Sequence, residues 1–196
     1  MEFVDGTSLY RAYFVPLGVD PEGLNVYSID GTLATRGDGS HVNQIEDART
    51  EDGLYFAGPT TILNGHDSPV IRANVLKRIE KDFCDVKDNC PCTPKCTLTI
   101  NLFGWSRGAA IMIEISHILG ANNHTFNCKT GAYTGPKAIN FMGLFDAVDK
   151  SSVIADHTTI PANVANNAHA VKSYKTYTSS VFPTVNLGSV PKIVKT

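Results

Sequence analysis

The sequence lacks a surplus of charge of either sign: its 196 residues set 17 Lys and Arg against 19 Asp and Glu, for a formal net charge of −2. Binding nucleic acid mainly through phosphate neutralisation requires a basic excess, so that class of partner is excluded. Charge of any kind is sparse at 18%, against roughly 25% in ordinary soluble domains, while 42% of residues are hydrophobic. A chain of that composition has enough apolar surface to fold, which argues against disorder. Long hydrophobic runs are also missing. The most apolar stretch, 108–120, is shorter than the roughly 20 residues that cross a bilayer, and it contains Glu114 and His117. The opening MEFVDGTSLYRAYFVPLG has neither the basic start nor the continuous apolar core of a secretory signal. The expectation is a cytoplasmic protein or one exported without a cleavable leader, with no transmembrane segment. The length suits one domain spanning 1–196.

Cysteine is scarce but clustered. Cys84, Cys90, Cys92 and Cys96 fall in CDVKDNCPCTPKC, and Cys128 stands apart. The spacing lacks the paired CxxC knuckles of common zinc sites. Two disulfides within a Cys-rich loop at about 84–96 are the preferred reading and would lean toward an oxidising compartment, with reduced thiols or a metal as alternatives. Cys128 reads as structural.

Patterning along the chain alternates strands with helices. Residues 25–29 form a short β-rich run that stops at the turn signal Asp30-Gly31-Thr32, followed by a polar loop from 35 to about 52. A second strand is expected at 54–57. A helix capped by Asp67 or Ser68, with Pro69 in its first turn, is expected to run to about 83. A buried strand at 97–103 leads to Gly104-Trp105-Ser106-Arg107-Gly108, then a helix over 107–119 stopped by Gly120. A further strand at 138–145 ends on Asp146, and 168–178 reads as a strand or short helix. This order predicts an α/β layered domain with a largely parallel sheet.

The GWSRG segment fits G-x-S-x-G between a buried strand and a helix. There the glycines let the backbone turn sharply and present the serine hydroxyl above the sheet edge. The next amide, that of Arg107, would face a developing oxyanion with the helix N-terminus behind it. A serine nucleophile needs a base and an orienting carboxylate, in the chain order Ser, Asp or Glu, His. Asp146 is the preferred acid because it ends an apolar strand beside the elbow, whereas Asp149 and Asp156 read as loop residues. The histidines that follow are His157 and His169, and chain order favours His169. The Arg107 side chain is expected to pair with a carboxylate such as Asp30.

Several separated motifs together resemble one family, the α/β-hydrolase-like domains that form the core of type VI secretion phospholipase (lipase) effectors. The strand into Asp30-Gly31-Thr32, the loose match Tyr55-Phe56-Ala57-Gly58-Pro59-Thr60, and the elbow Gly104-Trp105-Ser106-Arg107-Gly108-Ala109 carry it. So do Gly143-Leu144-Phe145-Asp146-Ala147-Val148 and His169-Ala170 ahead of Phe182-Pro183. Family members continue into a G-x-H-S-D-V-G-G-G segment, where this sequence reads Asn186-Leu187-Gly188-Ser189-Val190-Pro191. The resemblance implies a compact three-layer α/β-hydrolase-like fold. It also implies hydrolysis of a small-molecule or lipid ester, with Ser106 as nucleophile, Asp146 as acid, and no cofactor or metal. By analogy with that fold, Gly31 or Thr32 would supply the second oxyanion amide. The rival expectation is a hydrolase-like domain that binds a ligand or partner without turnover.

Overall fold

Short runs buried on both faces assemble into one parallel sheet. The computed structural model describes residues 25–47, 54–60, 65–89, 97–148, 157 and 159–170. In chain order the elements are β1 (Asn25–Ile29), α1 (His41–Asp47), β2 (Leu54–Phe56), α2 (Ser68–Asn89), β3 (Ile100–Trp105) and α3 (Arg107–Gly120), then β4 (Thr125–Cys128), β5 (Gly131–Thr134), β6 (Ile139–Phe145) and β7 (Val164–Ala170). Five of the strands form a sheet in the order β2-β1-β3-β6-β7, every neighbouring pair parallel, while β4 and β5 make a separate antiparallel hairpin. The α/β class with a largely parallel sheet is therefore the observed architecture.

Side chains alternate across the sheet and define its two faces. Tyr27, Ile29, Ile100, Leu102, Ile139, Met142 and Leu144 join the main core with α3. Phe103 and Phe145 point to the other side, where Ile45 of α1 covers them and Val26, Trp105 and Phe141 pack alongside. A register shift between Ile100 and Asn101 gives β6 one extra residue opposite β3, and Asn140 there donates to the Asn101 side-chain oxygen at 3.0 Å. The helix α3 is buried on nearly every side, from Arg107 through Ser116 and again at Leu119. It lies between the sheet and α2, to which the Glu114 carboxylate is tied by a salt bridge with Arg72. Its all-round apolarity, which at first suggests only a hydrophobic run, follows from that central place.

Three features differ from the expected pattern. The loop expected at 35–52 contains α1, whose N-terminus is capped by Ser40: its hydroxyl accepts the Asn43 amide at 3.1 Å. The β4–β5 hairpin was not expected at all. It is held by the Lys137 ammonium, which donates to the carbonyls of His124, Tyr133 and Gly135 beneath the ring of Phe126. Finally, α2 runs on to Asn89, so Cys84 is helical and faces the hairpin. It sits at disulfide distance from Cys128, with Cα atoms 5.0 Å apart across a separation of 44 residues. Cys84 thus pairs outside the expected loop and Cys128 does not stand alone; local spacing carries no information about this contact. Cys90, Cys92 and Cys96 lie outside the described residues. Among the described residues no helix is long and apolar enough to cross a membrane.

Candidate functional site

Chain order alone locates a crevice. From β1 the chain steps outward to β2, then returns to place β3 on the opposite side of β1. In an open parallel sheet, the carboxyl ends of strands at such a reversal diverge and leave room for a ligand. The residues leaving β1 and β3 at that point are Asp30-Gly31-Thr32 and Ser106.

Ser106 links the last residue of β3 to the first of α3 with φ 55° and ψ −122°. A non-glycine residue in that region costs of order 1–3 kcal/mol and persists only where its surroundings fix it. Here they do. The Ser106 amide donates to Phe145 O at 2.8 Å, and Ser106 O accepts from the Val148 amide at 3.2 Å. The flanking glycines allow contacts that a side chain would block: a Cβ on Gly104 would lie 2.5 Å from Ala109 Cα. One on Gly108 would lie 2.4 Å from both Asp30 O and Ile29 O. The strand and helix are pressed together at the turn, and α3 is pressed onto the end of β1. The Ser106 hydroxyl makes no capping bond to its own helix.

Among the described residues, the non-glycine residues with left-handed backbone are Leu33, Ser106 and Asp146. They follow β1, β3 and β6 respectively, so all three border the same edge of the sheet. Strain of this kind gathers at functional sites, and its concentration here is independent of any motif.

The Asp30 carboxylate is wholly buried and accepts from the Gly31 amide at 2.8 Å, Ser40 Oγ at 2.6 Å, Asn43 Nδ2 at 2.8 Å and Tyr55 OH at 3.0 Å. Burial and the Asp30 charge push the Tyr55 phenol well above its usual range, which keeps it a donor. The expected Arg107 pairing is not among the Asp30 contacts, although Arg107 is itself only 1% exposed. These bonds fix the turn after β1 and the start of α1 as one unit. They also occupy the Gly31 amide. The Leu33 and Ala34 amides bond to Pro59 O and Gly31 O at 2.8 and 3.0 Å. Thr32 is left as the turn residue whose amide makes no hydrogen bond among the described residues.

Asp146 and His169 are brought together. Their strands pair with Leu144 opposite His169, and the Asp146 amide donates to Ala170 O at 2.8 Å. Burial holds the His169 imidazole below its usual range, while the Asp146 charge draws it partway back. His169 Nε2 accepts from the Ala147 amide at 3.4 Å, a long bond, and no hydrogen bond joins the ring to Ser106 among the described residues. His157 is elsewhere: it stacks on His117 at 3.8 Å between ring centroids, ten residues along α3 from Arg107 and so roughly 15 Å from the elbow. Asp149 and Asp156 lie outside the described residues.

The structure adds a histidine that chain order passes over. His41 opens α1 with its ring 5.3 Å from that of Phe145, the residue whose carbonyl holds the Ser106 amide. It lines an open cleft of about 430 Å³ with Thr32, Leu33, Asp38, Ser40 and Trp105. It precedes the serine in sequence, so the hydrolase order gave no reason to consider it; the Ser40 cap was the available signal. Among the described residues no group of three or more His, Cys, Asp or Glu could hold a metal ion. Compared with known proteins, the chain matches no family model, no curated protein and no solved structure.

Proposed function

We propose that this protein is a serine hydrolase of carboxylic esters with an α/β-hydrolase-like site, in which Ser106 attacks the ester carbonyl to form an acyl-enzyme. The observation that carries the reading is the Ser106 backbone: a strained residue at a strand-to-helix turn, flanked by glycines that no side chain could replace without collision. In this mechanism the amides of Arg107 and Thr32 receive the oxyanion. The α3 N-terminus adds its partial positive charge. His169 takes the serine proton and Asp146 stabilises the imidazolium that forms. His169 suits this role by its low proton affinity, which leaves it neutral at physiological pH, and by its closeness to Asp146. Closing the relay requires Nε2 to exchange its 3.4 Å bond from the Ala147 amide for the Ser106 hydroxyl; catalytic hydrogen bonds commonly tighten only in the substrate complex.

That same bond supports a second reading, in which His169 only braces the Asp146 turn and the domain binds esters without turnover. Labelling with a fluorophosphonate, followed by hydrolysis of p-nitrophenyl acetate, separates the two. The hydrolase reading expects stoichiometric labelling that Ser106→Ala abolishes, with turnover lost in parallel. A wild-type protein that is folded, unlabelled and inactive refutes it.

A further inference from the structure

The cleft lined by Trp105, the chain neighbour of Ser106, has a chemistry of its own. One wall is the Trp105 indole, packed so closely on the turn that a Cβ on Gly31 would lie 2.6 Å from Trp105 Cε3. Leu33 also lines the cleft, 54% exposed although large and apolar, and held at φ 64° while its amide donates a hydrogen bond to Pro59 O. An exposed leucine in a strained backbone has no folding rationale, since neither burial nor local preference favours it. Asp38, Ser40 and His41 supply the polar part of the lining. Asp38 Oδ2 accepts from the Thr35 amide and hydroxyl, which fixes the carboxylate, and Oδ1 carries no hydrogen bond among the described residues. The one cation of the segment 31–41, Arg36, lies over the Tyr55 ring, 5.6 Å from its centroid, rather than in the cleft.

This combination discriminates between ester classes. A long acyl chain laid here would strip water from the Asp38 carboxylate without replacing its hydrogen bonds, at a cost that offsets its apolar gain. A phosphate headgroup would meet the Asp38 charge with no lining Lys or Arg among the described residues to balance it. A neutral ring bearing several hydroxyls satisfies both kinds of lining: its C–H face packs on indole and leucine, and its hydroxyls donate to Asp38 and bond to His41. About 430 Å³ lies within the range of small-ligand sites.

We propose that this cleft binds the alcohol part of a partially acylated carbohydrate, with Trp105 as its platform and Asp38 and His41 selecting its hydroxyls. The proposal rests on the ester-hydrolase reading for turnover but not for binding, so the two can fail separately. Binding is measured by calorimetric titration of methyl 2-O-acetyl-xylopyranoside into the Ser106→Ala protein, and selectivity as kcat/KM for that ester over p-nitrophenyl acetate in wild type. Asp38→Asn and His41→Asn should each weaken binding about tenfold and lower the selectivity ratio similarly, in proteins whose circular dichroism matches wild type. Saturable binding to Ser106→Ala alongside a wild-type protein that never labels with fluorophosphonate would overturn the hydrolase reading and leave the cleft assignment standing. Binding and selectivity unchanged in both variants would overturn the cleft assignment. So would a preference for p-nitrophenyl octanoate, dihexanoyl-phosphatidylglycerol or acetylcholine over the sugar ester.

Discussion

Replacing Gly108 by Ala sets two physical effects of opposite sign against each other. Within a helix, Ala is favoured over Gly by up to about 1 kcal/mol, and local propensity alone predicts a stabilised protein. The packing predicts the reverse. The added Cβ would sit 2.4 Å from two backbone carbonyl oxygens of β1, Ile29 O and Asp30 O, a full ångström inside the 3.4 Å of ordinary contact. Neither oxygen belongs to a side chain that can rotate away, and the Asp30 end is pinned further by its buried carboxylate network. Overpacking a rigid site costs about 1–3 kcal/mol, and this contact belongs at the top of that range. After subtracting the propensity gain, the net loss is about 2 kcal/mol, or roughly 4–8 °C in Tm for a chain of this size. Because relief requires α3 to back away from β1, the gap between the Arg107 and Thr32 amides should widen as well, and ester turnover should fall more than stability does. Thermal unfolding followed by circular dichroism, alongside p-nitrophenyl acetate kinetics, gives both numbers. An unchanged or raised Tm would refute the claim that α3 and β1 meet at backbone contact.

The other predictions concern the hairpin and the buried histidine. Breaking the Cys84–Cys128 link by Cys128→Ser releases a loop of 44 residues, for which chain entropy gives about 4 kcal/mol; a Tm that is the same with and without the substitution would show that the link does not form. Burial lowers the proton affinity of His169 in the folded protein, so between its native midpoint and the ordinary value of about 6.5 the unfolded chain binds the extra proton. Stability should therefore fall as the pH drops below about 6.5, down to the native midpoint. His169→Gln should flatten that slope without abolishing it, because burial and the Lys137 charge shift His124 in the same direction. Urea unfolding from pH 5 to 7.5 measures the slope, and identical slopes in the two proteins would refute the assignment. If His169 is the base, the acid limb of kcat/KM lies below pH 6.5 as well.

Where the sequence was legible, one local rule coincided with the global packing. The strands at 25–29 and 138–145 and the helix after Ser106 were readable because apolar runs, a turn signal and stop residues all agreed, and each element is buried through its own pattern. The elbow was legible for a stronger reason. Glycine at both 104 and 108 answers two distinct collisions, one with α3 and one with β1, so the pattern records a three-dimensional constraint rather than a preference. The first helix escaped notice because a polar, glycine-rich composition hides a seven-residue helix whose stability comes from Val42 and Ile45 packing and from the Asp30 network, all of it non-local. The hairpin escaped for the same reason: it depends on Lys137, which donates to three carbonyls beneath Phe126, contacts that local pattern does not encode.

The candidate base shows where chain order stops being informative. Order selected His169 over His157, and the structure separates them physically: one feels the charge of Asp146 just past the neighbouring strand, the other stacks on His117 toward the far end of α3. Order could not see His41, because a residue preceding the serine comes near Phe145 and Trp105 only through the reversal between β1 and β3. The distinction matters for reading mutants. Under the proposed mechanism, loss of His169 removes the proton acceptor and should depress kcat for every ester alike, since all share the same attack. Loss of His41 touches the cleft and should depress kcat/KM chiefly for esters whose alcohol fills it. Two imidazoles at one sheet edge thus make separable demands on kinetics: a uniform loss on His41→Asn would move the base to α1 and leave His169 as the brace of the Asp146 turn.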